Sequence, residues 1–453
     1  MRVSPPDLPG AAQGGDSPLD RALALLLAGE REAALRWGAA VVQQDASVPS
    51  ALILTSRLLA ESGRTEAAVE GFTLGVKRAI DTGNLPLAVA AVGDLKALGQ
   101  NVTPQLDDIA SAFCANSDRL SDDGTLPPPP LPSADNFQPL SSFLSGPALL
   151  SKATEIIHQA STDYEQVSGD DPPPLVSRLA LFSALEKEGL RALIGCFEMI
   201  TVPAGKAVIK EGEEGAEAYI VARGELEVRR ETDEKKSITL ARLTNGALFG
   251  EMALLSRAPR AASVVACRPS ILLVARRESL EAVAEKRPDV GIELAAHCRR
   301  RMVANLVRTS KSLLSVPAAE RPALVERFET KVFEKGDKLI EEGKDASGLH
   351  LIASGEVAVV GHEGGEPFVL ATLGVGETVG EVALVFRRRA NADVVAVHPT
   401  VTLHLPREDF IDLIRVHPAI LAGLYLLAYE RDEETASAMR QSTATLAEDY
   451  ILV

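Results

Sequence analysis

Cysteines, aromatic residues and long apolar runs are scarce in this sequence of 453 residues. The four cysteines are widely spaced and form no Cys-x-x-Cys pair, which argues against a disulfide framework and a zinc-binding cluster. The apolar run of residues 22–28 is too short to span a bilayer, and no basic segment of a secretory leader precedes it. We therefore expect a cytoplasmic protein that makes no use of a membrane.

Residue patterns of the common catalytic and metal sites are also missing. The seven histidines show no metal-ligand spacing, and the sequence contains neither a nucleophile elbow nor a P-loop. The formal net charge of −16 opposes non-specific attraction to nucleic acid or to an anionic membrane. These absences predict a protein that is not an enzyme, holds neither a metal nor a cofactor, and does not bind nucleic acid.

Residues 17–115 show the pattern of a helical domain with an internal repeat. The segment Gly29-Glu-Arg-Glu-Ala-Ala-Leu35 returns as Gly63-Arg-Thr-Glu-Ala-Ala-Val69, at the 34-residue period of tetratricopeptide helix pairs. We expect the glycines to let two helices cross closely. The repeat predicts a tetratricopeptide-like domain that binds a protein partner, and a plain helical bundle or dimer surface is the alternative. The preceding residues 1–16 are predicted to be disordered.

A proline-rich segment, residues 116–174, separates this domain from the rest of the chain. Consecutive prolines at 127–130 favour an extended, semi-rigid spacer. An SH3-type ligand is the alternative interpretation of these prolines. We expect one short helix inside the spacer, between Ala148 and Val167.

The remainder of the chain contains a duplicated, strand-rich unit, predicted at residues 175–311 and 312–453. A set of turn glycines recurs at a near-constant offset, and Gly250-Glu251 returns at nearly the same offset as Gly380-Glu381. Glycines at matched spacing indicate that the same tight turns occur twice. Each copy is predicted to be a roll of short β-strands with flanking helices, and the second copy to end in a C-terminal helix.

The stretch around Gly250 contains the groups that a phosphate ester needs. Gly250 permits a sharp turn, and the residues after it favour a helical turn whose N–H groups point outward together. Arg260 follows Pro259 and can hold a phosphate through two parallel hydrogen bonds. Glu251 is unsuited to a phosphate but suits a hydroxyl donor such as a ribose 2′-OH. These groups predict a site for a nucleotide with a single phosphate charge.

The same stretch resembles the phosphate-binding cassette of the cyclic nucleotide-binding domain family. Together with the helical repeat and the duplicated unit, the resemblance predicts a multidomain α and α+β fold, in which an N-terminal helical-repeat region precedes two tandem jelly-roll-like β-rolls. It implies that Glu251 binds the ribose hydroxyl and that Arg260 binds the cyclic phosphate, with backbone groups completing the cradle. The predicted ligand-binding residues are Phe249, Gly250, Glu251, Met252, Ala253, Pro259, Arg260, Ala261 and Ser263. A buried Glu251–Arg260 ion pair without any ligand is the alternative.

Cyclic AMP is the ligand that the resemblance favours. In the family, a Ser or Thr directly after the cassette arginine is associated with cyclic GMP, and Ala261 occupies that place here. Cyclic GMP and a cyclic dinucleotide stay open as alternatives.

The second cassette departs from the family pattern at three positions. Arg389 stands at the proline position, Ala390 at the arginine position and Asp393 at the Ser/Thr position. Asp393 adds negative charge near the expected phosphate, which raises the cost of binding an anion. We therefore expect that the second unit has lost its ligand. In the alternative, a neighbouring arginine reaches a phosphate, and the second site comprises Gly380, Glu381, Ala383 and Arg389.

The sequence therefore predicts a cyclic nucleotide sensor that signals through a protein partner bound by the helical N-terminal region. A ligand-free scaffold and a cyclic-dinucleotide receptor are the alternatives. A DNA-binding regulator is disfavoured because the helical segment after the second unit is acidic around Glu430–Glu434. Kinase regulatory subunits share the layout, although no Arg-Arg-x-Ala/Ser inhibitor segment occurs in residues 116–174.

Overall fold

The computed structural model describes residues 17–121, 133–167, 173–231, 237–255, 259–309, 327–363, 366–418 and 420–434. The predictions of disorder in residues 1–16, of an extended spacer at 127–130 and of helix beyond residue 434 lie outside these residues. The chain divides into two compact units. One unit takes its described residues from 1–208, 219–248 and 264–293, and the other from 209–218, 249–263 and 294–453.

Six helices joined by short turns form the N-terminal region. Ser17 caps the first of them, because its hydroxyl accepts from the Asp20 N–H and the Asp20 carboxylate accepts from the Ser17 N–H, both at 3.1 Å. Prolines stand in the first turn of four of the helices, where a missing N–H costs no helical hydrogen bond. The helices are α1 (Pro18–Leu27), α2 (Arg31–Gln44), α3 (Pro49–Glu61), α4 (Thr65–Asp81), α5 (Leu85–Ala97) and α6 (Thr103–Phe113).

The two repeat glycines end helices instead of packing between them. Gly29 and Gly63 have φ angles of 85° and 78°, which residues with a Cβ rarely adopt. A Cβ at either position would meet no atom within 4 Å. The expectation of a close helix crossing at these glycines is therefore wrong, and their role is to reverse the chain. The region is helical, while its tetratricopeptide-like character stays a prediction.

The predicted spacer contains a longer helix than expected. Helix α7 (Gly146–Val167) has 22 residues and packs against α2, α3 and α4. Its side chains Leu149 and Ile157 are buried, and Arg36 Nε of α2 donates to the Leu144 carbonyl at 2.9 Å just before the helix. This helix therefore packs with the N-terminal helices. The two-residue strands β1 (Leu120–Ser121) and β2 (Val176–Ser177) pair in parallel on either side of it in the chain.

Eight strands follow a short helix, α8 (Lys187–Ile194), in the first strand-rich unit, which we call the first roll. They are β3 (Glu198–Val202), β4 (Ala207–Ile209), β5 (Glu217–Arg223), β6 (Leu226–Glu231), β7 (Ser237–Leu243), β8 (Leu248–Phe249), β9 (Ser263–Ala266) and β10 (Ser270–Arg276). Helix α9 (Met252–Leu255) lies between β8 and β9. Two helices, α10 (Arg277–Lys286) and α11 (Pro288–Thr309), follow the last strand, and they are separate because Pro288 disfavours helical backbone at Arg287.

The second roll repeats this arrangement. Its strands are β11 (Glu329–Phe333), β12 (Lys338–Ile340), β13 (Gly348–Ser354), β14 (Val357–Glu363), β15 (Glu366–Leu373), β16 (Thr378–Val379), β17 (Asp393–Ala396) and β18 (Thr400–Pro406). Helix α12 (Glu381–Val385) takes the place of α9, and α13 (Arg407–Val416) follows the last strand. Residues 420–434 are helical and are called the C-terminal helix below.

Both rolls consist of two four-stranded sheets with the same topology. The sheets of the first roll have the strand orders β3-β10-β5-β8 and β4-β9-β6-β7. The orders β11-β18-β13-β16 and β12-β17-β14-β15 of the second roll are the same with every strand number raised by eight. The turn glycines agree, since Gly205 and Gly212 have φ angles of 79° and their counterparts Gly336 and Gly343 have angles of 93° and 76°. The predicted duplication is confirmed.

Buried polar contacts join strand β5 of the first roll to the N-terminal helices. Arg223 Nη2 lies 2.7 Å from Asp20 Oδ1, and the two side chains are 12% and 3% exposed. Burial alone would raise the pKa of Asp20, but the charge and hydrogen bond of Arg223 outweigh it and lower that pKa. Asn84 Nδ2 also donates to the Ala222 carbonyl at 3.1 Å. The helices and β5 therefore belong to one folded unit.

Candidate functional site

Strand β8 leads into a tight turn at Gly250, as the sequence predicted. Gly250 has a φ angle of 74°, and a Cβ there would lie 3.0 Å from the Glu217 carbonyl and 3.1 Å from Arg260 Nη1. Helix α9 begins two residues later at Met252. The turn therefore requires glycine for its backbone angle and for the space next to the arginine.

Arg260 lies against this turn with its guanidinium turned inward. Its Nη1 donates to the Gly250 carbonyl and its Nη2 to the Glu217 carbonyl, both at 2.9 Å. The side chain is 8% exposed, and Glu217 Oε2, on a side chain 37% exposed, lies 3.4 Å from Nη2. A Cβ at Gly215 would lie 2.4 to 2.8 Å from the guanidinium atoms. The guanidinium therefore fits in this position only because residue 215 has no side chain. The positive charge is thus fixed beside the cassette turn.

Glu251 is buried and pairs with a helix that follows the roll. The residue is 4% exposed, and its Oε1 accepts from Arg301 Nε of α11 at 3.1 Å. Cys298 of the same helix lies with its Sγ 3.9 Å from the Glu251 carbonyl. Burial raises the pKa of Cys298 to about 12, so this thiol stays protonated at neutral pH. The carboxylate predicted to bind a ribose hydroxyl is therefore linked directly to α11.

The other predicted residues occupy the same loop. Phe249 is buried in β8, while Pro259 is partly buried and Ala261 is exposed. Met252 packs against an apolar cluster that includes side chains of α11 and of the second roll. Ser263 Oγ accepts from the Glu211 N–H at 3.0 Å. Ala253 belongs to α9; its side chain and residues 256–258 lie outside the described part of the chain.

The second cassette has the same backbone contacts and different side chains. The Gly212 N–H donates to the Arg260 carbonyl at 2.9 Å, and the Gly343 N–H donates to the Ala390 carbonyl at 2.8 Å. Ala390 therefore holds the structural place of Arg260, as the sequence register predicted. Of the alternative second site, Gly380, Glu381 and Ala383 line one cavity, whereas Arg389 is exposed and is not among its lining residues.

Asp393 takes the place of Ser263 and has its own partners. Its Oδ1 accepts from the Glu342 N–H at 2.8 Å, and its Oδ2 lies 2.6 Å from Lys338 Nζ. Burial alone would raise the pKa of Asp393, but the hydrogen bonds from Lys338 and from the Glu342 N–H outweigh it and lower that pKa. The carboxylate is therefore charged at neutral pH.

Glu381 pairs with an arginine in the same way as Glu251. Arg431 Nη1 of the C-terminal helix lies 2.7 Å from Glu381 Oε1, and Arg431 Nη2 lies 3.3 Å from Glu377 Oε1. Sequence reasoning missed both arginine partners. The spacing between Arg301 and Arg431 equals the spacing between Glu251 and Glu381, so the repeat itself contained the signal.

The duplicated rolls with their glycine-turn cassettes agree with an independent comparison of sequences. The family model described as cyclic nucleotide-binding domain matches residues 199–287 and 330–417. The chain carries two tandem cyclic nucleotide-binding domains. The matched ranges contain both cassettes and most of the strands of each roll. Within the described part of the chain, the fold is thus a helical N-terminal region followed by these two domains.

Known proteins similar to this chain are regulators and kinases. It is 31% identical to a cAMP-dependent protein kinase regulatory subunit of Yarrowia lipolytica, over 53% of this chain and 60% of that protein. It is 29% identical to the type II regulatory subunit of Drosophila melanogaster, over 50% and 57%, and 27% identical to cGMP-dependent protein kinase 2 of Mus musculus, over 57% and 33%. The chain thus spans less than two thirds of the length of these relatives.

Solved structures give a weaker likeness. The regulatory domain of Toxoplasma gondii PKA, solved with cAMP, is 25% identical over 56% of this chain and 92% of that chain, with a TM-score of 0.28. A score this low supports no inference about function. Among the helices of the described residues, none is both long and apolar enough to cross a membrane.

Proposed function

We propose that this protein is a regulatory cyclic nucleotide sensor whose first domain binds cyclic AMP. The observation that carries the proposal is the inward guanidinium of Arg260, fixed beside the Gly250 turn in a domain of this family. Two backbone carbonyls orient the guanidinium, so a cyclic phosphate would meet a positive charge that is already positioned. The nearby Glu217 side chain is 37% exposed, so its carboxylate can turn towards water when a phosphate takes its place at Arg260.

Recognition of the ribose would use Glu251, whose second oxygen is the acceptor for a hydroxyl group. Because Arg301 donates to the other oxygen, a ligand on Glu251 would act on the ion pair that joins the cassette to α11. Met252 packs against an apolar cluster containing α11 side chains, which gives a second connection. A differential binding energy of about 1–3 kcal/mol between two arrangements of α11 is sufficient for a regulatory response.

The relatives named above support a regulatory and non-catalytic role. Two of them are regulatory subunits of a cAMP-dependent kinase, and the third is a kinase that depends on cGMP. We propose a protein partner for the helical N-terminal region and a cytoplasmic location. Ala261 after the cassette arginine favours cyclic AMP over cyclic GMP.

Isothermal titration of the full chain with cyclic AMP, cyclic GMP and cyclic di-AMP tests this proposal. We expect cyclic AMP to bind with the highest affinity, at a stoichiometry of one. Failure of all three ligands to bind a folded protein would leave the ligand-free scaffold as the better explanation. A preference for cyclic di-AMP would instead favour the dinucleotide receptor.

A further inference from the structure

The second roll contains a cavity of about 290 Å³ between its cassette, its strands and the C-terminal helix. This volume is at the lower end of ligand pockets, which are on the order of 300–1,000 Å³, so it suits one small molecule. All of its lining residues belong to one compact unit. Most of the wall is aliphatic, with side chains such as Ile340, Val359 and Leu427.

The charge of the lining disfavours a phosphate. Four carboxylates, Glu377, Glu381, Glu430 and Glu434, face a single arginine, Arg431, among the lining residues. Arg431 is itself paired with two of these carboxylates. At the place of the first roll's phosphate-binding candidate, the cavity presents the methyl group of Ala390. An anion entering this cavity would meet an excess of negative charge, and the guanidinium of Arg431 is already paired with carboxylates.

Glu381 provides an acceptor that the protein itself leaves unused. Its side chain is 3% exposed. Oε1 accepts from Arg431, whereas Oε2 is buried and has no hydrogen-bond partner in the described part of the chain. A buried acceptor without a partner is costly, and a hydroxyl donor in the cavity would remove that cost.

We propose that this cavity binds an uncharged ribonucleoside. A ribose hydroxyl donates to Glu381 Oε2, and the flat base packs against the aliphatic wall. Glu430 and Glu434, which are exposed on the C-terminal helix, accept from an exocyclic amino group of the base. The site takes a nucleoside without its phosphate because the sugar-binding carboxylate is present while the phosphate-binding arginine is replaced by Ala390.

Calorimetric titration of the full chain with adenosine and with guanosine tests the proposal. The Arg260→Ala variant is used in parallel, because it removes the phosphate-binding candidate of the first roll and leaves the second cavity intact. We expect at least one nucleoside to bind both proteins at a stoichiometry of one. The Glu381→Gln variant should bind it about ten-fold more weakly, the loss of one hydrogen bond to a charged acceptor.

A second pair of variants protects the test against a folding defect in Glu381→Gln. Leu427→Trp fills the cavity from the C-terminal helix and should abolish nucleoside binding. Its neighbour Leu426 is 65% exposed and does not line the cavity, so Leu426→Trp should bind as the parent does. Ala390→Arg should lose preference for the nucleoside and gain binding of cyclic AMP.

Two results would overturn the proposal. One is the absence of binding by both nucleosides to the parent protein. The other is binding of cyclic AMP, in the Arg260→Ala variant, that Leu427→Trp removes. Failure of the first domain to bind cyclic AMP is a separate result, because nucleoside binding is measured with Arg260 already replaced.

Discussion

The two rolls have the same backbone at the cassette but not the same side chain at its centre. The loop makes equivalent backbone hydrogen bonds whether it carries Arg260 or Ala390. Its conformation is therefore set by the glycine turns and the strand pairing, and no guanidinium is needed to fold it. Because the backbone of the loop does not depend on an arginine at this position, we place Arg260 at the centre of the proposed site.

The largest expected effect tests this interpretation of Arg260. Arg260→Ala should weaken cyclic AMP binding by about 2–5 kcal/mol, because a desolvated phosphate loses its charged partner. The loop should stay folded, as it does around Ala390. Calorimetry measures the affinity, and a thermal melt checks the fold. Arg242→Ala, at a side chain 56% exposed in the same roll, is the control and should bind normally. Unchanged affinity in Arg260→Ala would remove the site assignment.

The two glutamate–arginine pairs differ in the exposure of their arginines, so we expect the two pairs to contribute differently to the free energy of unfolding. Arg431 is 18% exposed and its partner Glu381 is 3% exposed, whereas Arg301 is 35% exposed. Removing Arg431 leaves the buried carboxyl of Glu381 without its charged partner. Burial already raises the pKa of this carboxyl. We expect Arg431→Gln to lower the free energy of unfolding by roughly 3 kcal/mol and Arg301→Gln by about 1 kcal/mol. Urea unfolding of both variants measures this, and equal losses would contradict the ranking.

Acid should destabilise the second roll through a buried histidine. His350 is 1% exposed, and its ring lies 4.4 Å from that of His404. Burial, followed by the charges of His404 and Lys331, lowers the pKa of His350 to about 3. Below about pH 6.5 the unfolded chain binds a proton that folded His350 does not, so stability is lost as pH falls.

Because of His350 alone, the free energy of unfolding should fall by about 2 kcal/mol between pH 7 and pH 5. Tyr219 stands at the matching position of the first roll, so His350→Tyr is a substitution that the fold already accepts once. We expect the variant to have a flatter dependence of unfolding free energy on pH. Parallel curves for the two proteins would mean that other groups cause the acid sensitivity.

The smallest expected effect concerns Asp393, which stands in the second cassette where the first cassette has Ser263. Asp393→Ser keeps an acceptor for the Glu342 N–H, as Ser263 is for the Glu211 N–H, and gives up the contact with Lys338. Because Lys338 is half-exposed, we expect a smaller change in Tm than for Arg301→Gln. A larger change would show that this pair contributes to the fold.

Local sequence signals predicted the rolls well and the partners of the site less well. The turn at Gly250 and the replacement of arginine by Ala390 can each be predicted from the residues of a single short stretch, the first cassette and the second cassette respectively. Arg301 and Arg431 come from helices far along the chain from the glutamates that they contact, so only the repeat spacing could have indicated them. The glycines Gly29 and Gly63 were assigned the wrong role because a small residue suits both a close crossing and a positive φ angle.

The contact of Asp20 with Arg223 affects how the first domain can be produced in isolation. A fragment that begins after the proline-rich segment would leave the Arg223 guanidinium without its buried carboxylate and would uncover the surface of β5 around Ala222. Such a fragment lacks part of its own folding unit. Low solubility or weak ligand binding of the fragment would then be a consequence of the truncation and not a property of the intact domain. Fragments designed to carry the first domain should therefore start at or before Ser17.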